Sequence, residues 1–134
     1  MEICDLILAD YAATGAGGKF TLVGAGITGI RTSKIPHIHP TVYLFVRFKV
    51  TLQDYGKNEV EILIVGEKGT VFKTAGEIQA AEGRKEEEYV NLTFQVQNIF
   101  FETAGDYYIE VRINGQARAT QLLRVTLTDR TAAQ

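Results

Sequence analysis

Residues Thr41 to Thr51 place Val42, Leu44, Val46, Phe48 and Val50 on one side of the chain. Tyr43, Phe45, Arg47, Lys49 and Thr51 fall on the other. A period of two sustained this long is a β-strand pattern; the apolar positions of an amphipathic helix recur about every 3.6 residues. The same alternation returns in Val60-Ile62-Ile64, Val90-Leu92-Phe94-Val96 and Tyr107-Ile109-Val111-Ile113. Val, Ile and Thr together exceed a quarter of the chain, and β-branched side chains favour pleated strands. A chain of 134 residues at 46% hydrophobic content is long enough to bury one core without disulfides or metals.

Eight strands are predicted, at about 2–12, 19–31, 41–53, 59–66, 70–79, 88–98, 106–114 and 117–127. Glycine and small polar residues mark the turns. The charged stretch from Ala80 to Glu88 reads as a solvated loop. The expectation is a single all-β domain over residues 1–134, a two-sheet antiparallel sandwich of immunoglobulin-like or C2-like form, with a closed β-barrel as the alternative. The predicted core is Ile7, Leu22, Leu44, Val46, Phe48, Ile62, Ile64, Leu92, Phe94, Val96, Tyr107, Ile109, Val111 and Leu123.

The last hairpin carries a conflict of register. A two-residue turn at Asn114-Gly115 sets Val111 opposite Arg118, mixing apolar and polar side chains on one face. One extra residue, placed at Gly115, pairs Val111 with Ala119 and Tyr107 with Leu123 instead. A bulge in this hairpin is therefore predicted.

Several motifs fail on their surroundings. Gly24-Ala25-Gly26-Ile27-Thr28-Gly29 follows an apolar run and has the spacing of a dinucleotide fingerprint. That chemistry needs a helix starting among the glycines, and the next residues are β-branched and then interrupted by Pro36. The glycines instead suggest a bend or bulge. Gly15-Ala16-Gly17-Gly18-Lys19 lacks a phosphate loop's first glycine, because Ala13 stands there. It also lacks the hydroxyl residue after lysine, because Phe20 does. His37 and His39, between Pro36 and Pro40, point the same way in an extended segment and form a candidate loop site. With no third histidine, they read as an exposed loop with no metal. No nucleophile–base–acid set is legible, and the chain is expected to be neither an enzyme nor a cofactor carrier.

The net charge of −2 argues against nucleic acid and anionic membrane as partners. Tyr43, Phe45, Arg47 and Lys49 make only a faint aromatic-basic face. Cys4, the one cysteine, sits in an apolar segment and is expected as a strand residue or a small core hydrophobe. The first residues lack the basic and long apolar regions of a secretory signal, so a cytoplasmic location is expected, and Asn91-Leu92-Thr93 is not read as a glycosylation site.

Three segments, taken in order, carry a family resemblance. They are Gly18-Lys19-Phe20-Thr21-Leu22-Val23-Gly24, then Ile30 through Ile35-Pro36, then Gly105-Asp106-Tyr107 leading to Asn114-Gly115. Together they resemble a bacterial family of small β-sandwich proteins of unknown function, across about residues 3–127. The resemblance implies a two-sheet fold and a bacterial or phage setting, and no activity.

The functional expectation is a non-enzymatic protein-interaction or assembly module whose partner is another protein or a second copy. Tyr43 and Phe45 lie on the second face of a strand whose first face is already apolar. Ile99-Phe100-Phe101 breaks the alternation. Tyr43, Phe45, Phe100 and Phe101 are the candidate interaction surface. The alternative is a small-ligand or carbohydrate-binding domain, or a hydrolase, using loops 14–18, 32–40 and 80–88 with His37 and His39.

Overall fold

The computed structural model describes residues 1–80 and 88–128. The predicted loop between Ala80 and Glu88 lies, but for its two ends, outside the described residues. Nine strands are present among the described residues: β1 (Glu2–Thr14), β2 (Phe20–Ala25), β3 (Gly29–Thr32), β4 (His37–Val50), β5 (Gly56–Gly66), β6 (Gly69–Ala80), β7 (Glu88–Phe101), β8 (Gly105–Ile113) and β9 (Gln116–Leu127). They form two sheets, β2-β1-β4-β7 and β3-β9-β8-β5-β6. Among the described residues no ladder joins the sheets, so the molecule is a sandwich and not a closed barrel. The order β1-β4-β7 facing β9-β8-β5-β6 is the immunoglobulin plan.

Period-two patterning accounts for the core. Val42, Leu44, Val46, Phe48 and Val50 of β4 face Val60, Ile62 and Ile64 of β5 and Tyr107, Ile109, Val111 and Ile113 of β8, all of them buried. Tyr107 closes one end. Its ring meets Phe101 edge-on at 4.8 Å, and its hydroxyl donates to the Thr103 carbonyl at 2.6 Å. A tyrosine at the start of this strand, bonded to backbone a few residues upstream, is the tyrosine corner of immunoglobulin-like sandwiches.

Four expectations are corrected. The single strand predicted over 19–31 is two strands in different sheets. Gly24 and Gly26 take φ of 60° and 91° between them, and β3 then runs parallel to β9. The fingerprint-like glycines are thus a crossover from one sheet to the other. Ile7 and Leu22 are outside the main core, because they belong to the opposite face of their sheet or to the hairpin that covers it. Leu92 and Phe94 pack against the core but are only half-buried, because β7 is the last strand of its sheet. Cys4 is a strand residue but exposed, at a register shift between Ile3 and Asp5 that turns it out of the core.

The predicted bulge is present. Val111 pairs with Ala119 and Tyr107 with Leu123. Its position differs. Ile113 pairs with Gln116 across the two-residue turn, and Arg112 with Ala117, so Arg118 is the extra residue. Asn114 and Gly115 both take positive φ, which gives the turn a twist suited to tight hairpins.

Candidate interaction surface

Strand β1 serves two partners. Its first part, to Ala9, pairs with β4, and from Ala9 onward it pairs with β2. The β1–β2 hairpin folds back across the outer face of β4 and β7. Tyr11 meets Tyr43 edge-on at 5.2 Å, and Phe20 lies 4.5 Å from Phe45. Beyond them, Asn91 of β7 donates from Nδ2 to the Gly18 carbonyl at 3.1 Å. The Arg47 guanidinium sits 4.4 Å over the Tyr89 ring and 5.9 Å from Phe20, a cation–π clamp between hairpin and sheet. Arg47 Nε and the Asn91 Oδ1 beside it are buried without a hydrogen-bond partner among the described residues. Gly24 makes the fold-back possible. A β-carbon there would collide with the Asp10 carboxylate, and the residue sits at a positive φ.

This cover changes the expected surface. Phe45 is fully buried beneath the hairpin and Tyr43 half-buried beside Tyr11. Phe101 is fully buried against Tyr107. Only Phe100, about half exposed, lies open as expected. The second apolar face of β4 is therefore covered by the chain's own hairpin.

His37 and His39 occupy the start of β4, opposite Phe101 and Ile99 of β7, and both are half-buried. They are strand residues, not an exposed loop, because the ladder with β7 extends back to His37. Their rings do share a side: His37 Nε2 and His39 Nδ1 are 3.3 Å apart, and His37 Nδ1 is 3.3 Å from the Thr32 hydroxyl. His37 also stacks parallel to Phe101. Burial and the neighbouring His37 hold the His39 imidazole below the usual histidine range, with Asp10 opposing. Among the described residues no cluster of three His, Cys, Asp or Glu is placed to hold a metal. A groove of about 900 Å³ runs along β3 and β9 past Arg31, Leu122 and Arg124, and neither histidine lines it.

The feature that patterning missed is the free side of β7. Strand β7 pairs with β4 along its whole length and, among the described residues, no strand is hydrogen-bonded to its other side, although Phe94 and Leu92 pack against Gly76 of β6. From Tyr89 to Phe101 it contains no charge and no proline. Val90, Leu92 and Phe94 are left half-buried. The edge strand of the other sheet, β6, differs. It carries Lys73 and Glu77, which pair with Glu61 at 3.3 Å and Lys57 at 3.6 Å. Charges on an edge discourage further strands from joining it. The uncharged run was legible in the sequence, but its place at a sheet edge was not.

No helix among the described residues is long and apolar enough to cross a membrane. A family model described as a family of unknown function matches residues 5–126. No curated protein matches the chain.

Proposed function

The chain belongs to that family of unknown function, DUF6941, and since membership carries no activity, we propose from the geometry that it is a protein-interaction module docking through β7. The observation that carries this reading is a fourteen-residue strand at a sheet edge, with no strand paired to its outer side among the described residues and no charge or proline from Tyr89 to Phe101. Unpaired N–H and C=O groups on such an edge template an incoming strand. The half-buried Val90, Leu92 and Phe94 supply apolar contacts for its alternate side chains. The partner is an extended protein segment with period-two apolar residues. A cytoplasmic, bacterial setting belongs to this same proposal, and the sequence resemblance supports its bacterial half.

The test is selection of extended peptides on the purified chain, followed by hydrogen exchange of the complex. Bound peptides are expected to slow amide exchange along β7 between Val90 and Phe100 and to leave β6 unchanged. Protection confined to β6, to the groove along β3 and β9 or to the His37–His39 pair overturns the reading, as does failure to select any peptide.

A further inference from the structure

We infer that the segment docking on β7 is β7 of a second copy, paired antiparallel about Phe94. This rests on the reading of β7 as a docking edge and names its occupant.

The inference comes from the order of residues along the strand. Read outward from Phe94, Thr93 mirrors Gln95, Leu92 mirrors Val96 and Asn91 mirrors Gln97. In an antiparallel pair centred on Phe94, each residue faces its mirror in the second copy. Apolar side chains then meet apolar ones on the core side, and polar uncharged ones meet on the outer side. The mirror spans Asn91 to Gln97 and ends there: Val90 would face Asn98, where the backbone turns to positive φ, and Glu88 would face Phe100. Like-with-like pairing penalises any charge near its centre, because the charge meets its own copy. The uncharged run is what such pairing requires, whereas β6, with Lys73 and Glu77, lacks it.

Packing agrees. Phe94 lies across Gly76 of β6, where an added β-carbon would come within 3.2 Å of the ring. The ring thus fills the space between the two edge strands, β7 and β6, and is half-buried in one copy. A second β7 brings its own Phe94, Leu92 and Val96 to this point and completes the cover. The product is one continuous eight-stranded sheet, β2-β1-β4-β7 joined to its symmetry copy, with the isologous contact of a two-fold dimer.

The experiment combines sedimentation velocity with a spin label at Gln97, an exposed position, after Cys4→Ser removes the native thiol. Pairing about Phe94 sets the two Gln97 positions six residues apart along the strand direction, or about 20 Å between backbones at about 3.4 Å per residue. A dimer showing that separation is the expected result. Gln95→Lys should raise the dimer dissociation constant at least tenfold while leaving the circular dichroism of the monomer unchanged. A dimer with a clearly different separation, or one indifferent to Gln95→Lys, overturns the pairing. A monomer at every concentration overturns the second copy as occupant. The peptide selection then decides separately whether the edge accepts any strand.

Discussion

Two side chains show how much chemistry is concentrated at the closed end of the sandwich. The Tyr107 hydroxyl is bonded to the Thr103 carbonyl at 2.6 Å from within a buried ring. Tyr107→Phe is expected to cost about 1–3 kcal/mol, because a part-buried carbonyl loses its donor; urea denaturation measures it. His39 makes stability depend on pH. Its folded value lies below the unfolded one, so the unfolded chain takes up the proton first as pH falls. The His39 contribution is complete above about pH 6.5 and declines as pH drops through the interval down to the folded value. Thermal unfolding between pH 7 and 5 should show this decline, and His39→Gln should flatten it. The tyrosine was legible as Gly105-Asp106-Tyr107. The half-burial of His37 and His39 was not, because flanking prolines read as a loop while the ladder to β7 extends the strand across Pro40.

At the scale of elements, period two located the strands and the register conflict located a bulge. Alternation cannot say which side of a turn absorbs an extra residue. Asn114-Gly115 satisfied its own tight turn, so the surplus moved to Arg118. Deleting Arg118 should leave Ile113–Gln116 and Val111–Ala119 paired and cost about 0.5 kcal/mol, the scale of a surface change. A loss of about 2–5 kcal/mol, as for truncating a core leucine, would show that the bulge itself supports the fold. Denaturant unfolding of the deletion variant separates the two. The break between β2 and β3 was less legible. The sequence shows glycines at the crossover but not which sheet the following strand joins, a choice made by its distant partner β9.

As a whole, the molecule has three layers in one region, not two. Over β4 the order is the second sheet, the main core, the first sheet and then the β1–β2 hairpin. Phe45 is as fully buried as Phe48, although they point to opposite sides of β4. Phe45→Ala is therefore expected to cost about 3–5 kcal/mol, like Phe48→Ala and unlike a change on a solvated sheet face. Equilibrium denaturation of both variants makes the comparison. The sequence announced the apolar second face, at Tyr43 and Phe45. It could not announce the cover, because Phe20 and Phe45 lie twenty-five positions apart and meet only through the fold-back at Asp10 and Gly24.

The fold-back also sets a limit on growth. A flat sheet with two bare margins can add copies without end, and that is how fibres form. Here the margin opposite β7 is in part β2, a short strand carried out of the sheet plane and laid across its own face, and in part the first half of β1, which carries Glu2 and Asp5. Charges of that kind discourage another strand from joining. On the proposed pairing, the uncharged margin at β7 is the one that joins like to like, and the hairpin and the charges at the far margin stop the assembly at two copies.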